Sequence, residues 1–255
     1  MTLDRAAFVR PIAHRGLHGS HTGLLENTAA AFAAGLDKGF GIECDLQPGS
    51  DGTPMVFHDF TLDRLVDGKG RIDRQTPQQL RVLTYRNRTD RILTFAEFLD
   101  LAHGRGPLLV EVKSEWKTPH ADFLGRIAAH AKRYKGPLAL MSFDPAVMAA
   151  LADLAPKIPR GIVSGIYDGP DWDVGKLGIR RAERLTLLLE SRAAAPSFYA
   201  YHVKALPTPI TRYVRDVQGL PIFTWTVRTA ADRKVAALHA DAPIFEGLEA
   251  GYQRP

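Results

Sequence analysis

Apolar and polar positions divide the chain into two kinds of segment that follow one another regularly. Short β-rich runs, several of them directly after a proline or glycine, predict eight strands, at residues 11–16, 41–47, 108–113, 137–143, 159–164, 198–204, 221–227 and 243–246. Helical spacing of apolar residues predicts helices between most of them, at residues 28–38, 121–134, 145–154, 176–192, 207–217 and 230–239. Alternating strands and helices are typical of a parallel sheet. Eight such units predict a (β/α)₈ TIM barrel, with a doubly wound open sheet as the alternative.

One segment interrupts this alternation, between the second strand and the strand that begins near residue 108. An extra short strand is predicted at residues 55–58, and residues 94–103 predict the helix of this unit. The residues between them, from about 60 to 93, fit neither element. We therefore expect one domain over residues 1–255, with a small insertion after the second strand at about residues 60–93.

Two carboxylates occupy alternate positions of the second predicted strand. Because side chains on a strand alternate between its faces, Glu43 and Asp45 share one face and Cys44 lies on the other. In a barrel the apolar face packs on the helices, so the carboxylates point inwards near the C-terminal strand end, where barrel enzymes have their active sites. Buried carboxylates need a cationic partner, so this pair predicts either an ion pair or a metal site.

The strand at residues 108–113 repeats this arrangement, because Glu111 and Lys113 share a face. Lys113 can simply neutralise Glu111, which would be a structural role. Together with Glu43 and Asp45, however, Glu111 completes a set of three carboxylates without a thiolate. Such a set favours one hard divalent cation, Mg²⁺ or Ca²⁺.

Two of the nine histidines end predicted strands at the same edge of the barrel. His14 ends the first strand and His58 ends the extra short strand. Histidine titrates near neutral pH, so such a pair can act as general acid and general base. Arg15, next to His14, offers a planar fork for phosphate oxygens. His18 and His21 follow in a loop and are interpreted as loop residues.

These residues resemble the motifs of the glycerophosphodiester phosphodiesterase family, and their order and spacing fit as well. The likeness covers nearly the whole chain. The motifs that carry it are His14-Arg15-Gly16, Glu26-Asn27-Thr28, Glu43-Cys44-Asp45, His58-Asp59, Glu111-Val112-Lys113, Ser142-Phe143-Asp144 and Trp225-Thr226-Val227. The resemblance implies a TIM barrel with a small insertion after the second strand. It also implies hydrolysis of a small-molecule glycerophosphodiester to glycerol 3-phosphate and an alcohol such as choline, ethanolamine or glycerol.

The resemblance assigns roles to individual residues of this chain. The residues that it implies as ligands of the divalent cation are Glu43, Asp45 and Glu111. His14 and His58 are implied as acid and base, and the sequence leaves open which histidine has which role. Arg15 and Lys113 are implied as phosphate contacts. The attacking group is either water or a hydroxyl of the substrate itself.

The chain departs from the family pattern at two places, neither of which is an implied metal ligand or acid–base residue. Leu25 stands where the family usually has proline, and residues 240–247 differ from the usual eighth-strand motif. Any role for Glu246 therefore stays open.

Trp225 is predicted to share a face with Phe223 and Val227, which by itself indicates a core aromatic. With the resemblance, we expect Trp225 to form a wall of the substrate pocket.

Other functions remain as alternatives to be tested. A lysophospholipase D or a sphingomyelinase-D-like lyase would use a similar arrangement of His, Glu and Asp, but the loops here are polar and no amphipathic membrane helix stands out. A non-catalytic phosphate-binding barrel would be expected to lack a metal ligand or a histidine. Nucleic-acid binding is not indicated, because no recognition motif and no basic stripe with interleaved aromatic residues is present.

Charge and composition add less to this picture. The 255 residues include 33 Lys and Arg against 28 Asp and Glu, a formal net charge of +5. With one cysteine and no apolar stretch long enough for a membrane span, we expect a cytoplasmic protein without stable membrane insertion. The sequence does not indicate an oligomeric state.

Basic residues are concentrated between Arg64 and Arg91, which predicts that the insertion steers anionic substrates through charges such as Arg86 and Arg88.

Overall fold

The structure, a computed structural model, describes residues 2–86, 90–168, 172, 174–247 and 252. In chain order its strands are β1 (Ile12–Ala13), β2 (Gly41–Pro48), β3 (Pro54–Val56), β4 (Leu93–Thr94), β5 (Leu108–Val112), β6 (Leu138–Ser142), β7 (Arg160–Ser164), β8 (Phe198–His202), β9 (Ile222–Val227) and β10 (Ala242–Phe245). All of these except β3 and β4 form a closed ring of parallel strands, because β10 pairs with β1 and β1 pairs with β2. The predicted TIM barrel is confirmed, and the open-sheet alternative is wrong.

Most helices connect strands on the outside of the ring, but the first helix precedes β1 and the third lies between β3 and β4. They are α1 (Arg5–Phe8), α2 (Ala29–Asp37), α3 (Pro77–Val82), α4 (Phe95–Ala102), α5 (Ala121–Arg133), α6 (Pro145–Leu154), α7 (Val174–Leu177), α8 (Ile179–Thr186), α9 (Pro209–Arg212) and α10 (Ala230–His239). The helix predicted at residues 176–192 is instead two short helices, α7 and α8, because Gly178 between them has a φ of +76° and interrupts the helical backbone. Within the described ranges, no helix is long and apolar enough to cross a membrane.

Side chains that point into the barrel and side chains that point toward the helices form two separate cores. Ile12, Leu109, Met141 and Phe223 belong to the inner cluster. Cys44 belongs to the outer cluster with the helices, as predicted from strand alternation. The opposite face of β2 therefore turns Glu43 and Asp45 into the barrel, at the end where the site lies.

Residues 60–93, which the sequence predicts as an insertion and which we call the inserted segment, contain α3, and their described part packs on a small core of its own. Leu62, Val66, Leu80 and Tyr85 are fully buried there, together with Phe57 just before the segment. The hydrophobic contacts fix the segment against the antiparallel extension that β3 and β4 add to β2.

Several arginines of the inserted segment form ion pairs. Arg64 binds the carboxylates of Glu26 and Asp59, and Arg71 binds those of Asp73 and Glu115. Arg81 is paired with Glu97 in the same way. The charges of these three arginines are therefore neutralised locally, whereas Arg86 donates to the backbone carbonyl of Val66 and Arg88 lies outside the described residues.

Candidate active site

Three carboxylates converge inside the barrel at the ends of β2 and β5. One oxygen from each of Glu43, Asp45 and Glu111 lies within 4.8 Å of the other two, and all three side chains are buried. Oε1 of Glu43 has no hydrogen-bond partner in the described part of the chain. Three buried oxygen donors, one of them without a partner, fit a divalent cation of the Mg²⁺ or Ca²⁺ type.

Among these three carboxylates, the pKa values of Glu43 and Asp45 are shifted in opposite directions. Burial, together with the charges of Asp45 and Glu111, raises the pKa of Glu43 well above its ordinary value. Burial alone would also raise the pKa of Asp45, but Lys113 and Arg15 outweigh it and hold that pKa well below its usual range. Lys113 Nζ lies 2.8 Å from Asp45 Oδ1 and 2.5 Å from Glu111 Oε1, so its ammonium group compensates part of the negative charge.

Arg15 is held against the same carboxylates by an unusual turn of the chain. Its φ is +54°, and its backbone N–H donates to Glu43 Oε2 at 3.0 Å. The guanidinium donates to Glu26 Oε1 at 2.8 Å, and its Nε lies 3.2 Å from Asp45 Oδ2. The next residue is Gly16 with a φ of +81°, where a Cβ would lie 2.7 Å from the backbone of Ala31. Only glycine fits this close approach, which places Arg15 at the barrel mouth.

His14 is oriented by Glu246, which follows β10 at the closing seam of the barrel. Nδ1 of His14 and Oε1 of Glu246 are 2.5 Å apart, and Nε2 of His14 faces Glu43 Oε2 at 3.7 Å. Burial alone would raise the pKa of Glu246, but hydrogen bonds from His14 and Arg228 hold it below its ordinary value. An ionised carboxylate only accepts, so the proton of this bond lies on Nδ1. Burial lowers the pKa of His14 to about 4.

His58 has a carboxylate partner of the same kind. Its Nδ1 is 2.7 Å from Oδ1 of the neighbouring Asp59, and Arg64 donates to both oxygens of that carboxylate at 2.7 and 2.9 Å. Burial by itself would raise the pKa of Asp59, but the hydrogen bonds from His58 and Arg64 place it below its ordinary value. The backbone carbonyl of His58 also accepts a hydrogen bond from Gln47.

The predicted site residues meet around one cavity of about 190 Å³ at the barrel mouth. Of the eight candidates, all but Asp45 line it, and Asp45 lies directly behind through its contacts with Arg15 and Lys113. Trp225 donates from Nε1 to the carbonyl of Ala200 at 3.1 Å and forms part of the wall.

One detail of the strand that carries Trp225 differs from the prediction. Phe223 and Trp225 pack toward the inner cluster, whereas Val227 belongs to the outer one. The pairing of β9 with β10 shifts register here, since Thr224 pairs with Pro243 and Val227 with Phe245. The extra residue of β9 ends the simple alternation of faces, so the predicted shared face of Trp225 and Val227 is wrong.

Sequence reasoning did not assign site roles to several residues that contact the candidates. Glu246 and Arg228 support His14, while Asn27 donates to Asp45 Oδ2 at 2.8 Å from a left-handed backbone conformation. His18, interpreted as a loop residue, has its Nε2 3.9 Å from Glu246 Oε1. The motif Glu26-Asn27-Thr28 was the available signal for Asn27, but nothing local in sequence links Glu246 to His14.

Comparison with known proteins shows the family of this chain. The model of the glycerophosphoryl diester phosphodiesterase family matches residues 14–245. A glycerophosphodiester phosphodiesterase from Caldanaerobacter subterraneus subsp. tengcongensis is 34% identical over 233 residues, which cover 88% of this chain and 86% of that protein. Glycerophosphodiester phosphodiesterase 1 from Rattus norvegicus is 46% identical over 76 residues, so the match spans 29% of this chain and 22% of that longer relative.

Solved structures share the fold. A phosphodiesterase from Oleispira antarctica, solved in complex with the product sn-glycerol-3-phosphate, superposes with a TM-score of 0.70 at 23% identity and covers 92% of each chain. A glycerophosphodiester phosphodiesterase from Thermotoga maritima gives a TM-score of 0.68 at 20% identity, over 92% of this chain and 94% of that one. With a family match over nearly its full length, the chain belongs to the glycerophosphoryl diester phosphodiesterase family.

Proposed function

We propose that this protein hydrolyses small glycerophosphodiesters to sn-glycerol 3-phosphate and an alcohol, with a divalent cation at the barrel mouth. The observation that carries the proposal is the single cavity lined by His14, His58, Arg15 and Lys113 beside the carboxylate group. Family membership supports the reaction class, and the Oleispira antarctica structure supports a phosphorylated glycerol as product by analogy.

The charge balance of the site supports the cation. Three carboxylates face the cations of Arg15 and Lys113, so the group as a whole does not attract an anionic phosphodiester. Glu43, Asp45 and Glu111 would hold the metal, which would supply the missing positive charge and polarise the phosphoryl group. Mg²⁺ and Ca²⁺ both suit this set of oxygen donors.

The two histidines are arranged for proton transfer. Each has its Nδ1 against a carboxylate, Glu246 for His14 and Asp59 for His58, so each ring is oriented with Nε2 left for chemistry. One imidazole accepts a proton from the attacking water or substrate hydroxyl, and the other donates one to the oxygen of the leaving alcohol. Attack by a substrate hydroxyl would form a cyclic phosphate, which water then opens to glycerol 3-phosphate. Arg15 and Lys113 are positioned to offset charge on the phosphoryl oxygens.

The test is a product assay with the purified protein. Glycerophosphocholine, glycerophosphoethanolamine and glycerophosphoglycerol are each incubated with Mg²⁺ or Ca²⁺, and sn-glycerol 3-phosphate is quantified. Release from at least one diester is expected. No release from any of them, with phosphate still bound by the protein, would instead favour a non-catalytic phosphate-binding barrel. A cytoplasmic location stays a prediction from the sequence.

A further inference from the structure

A second and larger cleft opens beside the catalytic cavity. It has a volume of about 480 Å³ and shares His58, Glu111, Lys113 and Phe143 with that cavity. Its remaining wall is formed largely by aromatic rings, and we call it the aromatic cleft. The rings that define it are Phe60, Trp116, Phe143, Tyr167 and Trp172. A group attached to a phosphate at the catalytic cavity can therefore extend into this cleft.

The rings stand at steep angles to one another. Tyr167 and Trp172 have centroids 4.8 Å apart with planes at 63°, and Trp116 and Tyr167 are 6.4 Å apart at 73°. Phe143 meets Trp172 at 67°. Planes inclined in this way cannot stack as one flat platform. They present ring faces and edges from several directions around a common space.

Most polar side chains of the aromatic cleft are already engaged with the protein, although Tyr167 Oη has no hydrogen-bond partner in the described part of the chain. Ser114 Oγ donates to Asp144 Oδ2 at 2.6 Å, and Ser142 Oγ donates to the carbonyl of Val112 at 2.7 Å. The carboxylate of Asp59 is bound by His58 and Arg64. A polyhydroxylated group or a primary ammonium group needs several hydrogen-bond partners, so this cleft offers little to either.

Ring faces suit a cation that forms no hydrogen bonds. The guanidinium of Arg181 lies over the ring of Trp116, 5.3 Å from its centroid, so a ligand cation would meet this ring from the side that Arg181 leaves open. Among the described residues that line the cleft, Val112 alone has an aliphatic side chain. A long acyl chain would be expected to meet a more aliphatic surface.

We propose that the aromatic cleft binds the alcohol portion of the substrate and selects an alcohol that carries a quaternary ammonium group. This inference rests on the proposed phosphodiesterase function and specifies its substrate class. A trimethylammonium group is a diffuse cation that binds ring faces and requires no hydrogen bonds. Moving a trimethylammonium group out of water costs less free energy than moving a primary ammonium group. The cleft does not compensate the larger cost for the primary ammonium group.

The experiment compares two substrates that differ only in three methyl groups. For the wild-type protein with Mg²⁺, kcat/KM for glycerophosphocholine is expected to exceed that for glycerophosphoethanolamine by about tenfold. Trp116→Leu and Tyr167→Leu keep apolar bulk but remove a ring face, and each is expected to lower kcat/KM for glycerophosphocholine more than kcat/KM for glycerophosphoethanolamine, so that most of the preference is lost. Tyr213→Leu, at a half-exposed ring outside the cleft, serves as the matched control.

Binding is measured separately with tetramethylammonium as the probe. It is expected to quench tryptophan fluorescence of the wild type and of Tyr213→Leu, and to do so less in Trp116→Leu. Equal turnover of both diesters, or a preference for ethanolamine, overturns the inference and leaves the proposed function standing. Faster turnover of long-chain lysophosphatidylcholine would also overturn it, in favour of an acyl-binding cleft. Failure to hydrolyse any glycerophosphodiester overturns the proposed function and this inference together.

Discussion

His14 Nδ1 and Glu246 Oε1 lie 2.5 Å apart, although 232 positions separate the two residues in the chain. The contact spans the seam where β10 closes the barrel against β1. Arg228 donates to both oxygens of Glu246 and fixes the carboxylate. The seam therefore determines the orientation of the imidazole at the barrel mouth.

Removing this carboxylate should slow the reaction without a comparable effect on substrate binding. For Glu246→Ala we expect kcat to fall roughly 10- to 100-fold and KM to change little, because the imidazole loses the partner that holds its orientation. Glu246→Gln, whose amide oxygen still accepts, should recover part of the rate. Asp37→Ala, which removes an exposed carboxylate paired with Arg105, is the control. A kcat equal to the wild-type value in Glu246→Ala would show that the contact is only structural.

Arg64 connects the inserted segment to both halves of the site. It donates to Glu26, which holds Arg15, and to Asp59, which holds His58. Arg64→Ala is expected to reduce kcat/KM about tenfold because the carboxylates of Glu26 and Asp59 both lose the guanidinium that helps to hold them in place. Arg81→Ala removes an exposed pair of the same segment and should leave the rate unchanged. Equal rates for both variants would contradict this role of Arg64.

Cation binding can be measured without turnover. Mg²⁺ at one hundred times its Kd should stabilise the wild-type protein by about 2.7 kcal/mol, seen as a rise in Tm. Glu43→Gln should lose most of this rise, because it removes one of the three buried carboxylates. Glu97→Gln, a partly exposed carboxylate on α4, should keep it. An identical Tm of the wild type in chelator and in Mg²⁺ would exclude the proposed metal site.

Asp232, near the start of α10, provides a pH-dependent contribution to stability. It accepts hydrogen bonds from Lys204 Nζ at 2.5 Å and from the backbone N–H of Thr229 at 3.0 Å, at the start of α10. Burial alone would raise its pKa, but the hydrogen bonds from Lys204 and Thr229 outweigh it and lower the pKa. A carboxyl with a lowered native pKa stabilises the fold above its unfolded pKa, and this contribution is lost as pH falls through the native value.

Asp232→Asn should therefore lower the free energy of unfolding by about 1–2 kcal/mol at pH 7. Below about pH 4, where the unfolded carboxyl takes up its proton, the difference from the wild type should shrink. Urea unfolding between pH 3 and pH 7 measures both effects. Glu97→Gln, in the equivalent capping box of α4 but with a more exposed side chain than Asp232, should show a smaller loss. A difference that grows as pH falls would contradict the assignment.

Strand alternation made much of the site predictable from sequence. The positions of Glu43 and Asp45 on one face of β2, and of Cys44 on the other, follow from the two-residue period alone. Parallel strands then end at one edge, which brings Glu111 to the same place. For this reason the proximity of Glu43, Asp45 and Glu111 could be predicted from the sequence alone.

Contacts that depend on distant parts of the chain could not be predicted in this way. The pairing of His14 with Glu246 requires the exact closure of the barrel, and the shift in β9 moves Val227 to the other face by one extra residue. Likewise, the basic residues between Arg64 and Arg91 indicated steering, but their partners Glu26 and Glu115 lie elsewhere in sequence. The predicted steering therefore depends on the basic residues outside these ion pairs, such as Arg86, and a fall of kcat/KM with rising ionic strength would be its signature.

The central claim is tested most directly by the release of sn-glycerol 3-phosphate from a glycerophosphodiester in Mg²⁺, measured for the wild type and for His14→Gln at equal concentration of folded protein. The wild type should form product and lose this activity in chelator, and His14→Gln should be slower by about 10²- to 10⁴-fold. The absence of product from the wild type, or a His14→Gln rate equal to the wild-type rate, would contradict the account.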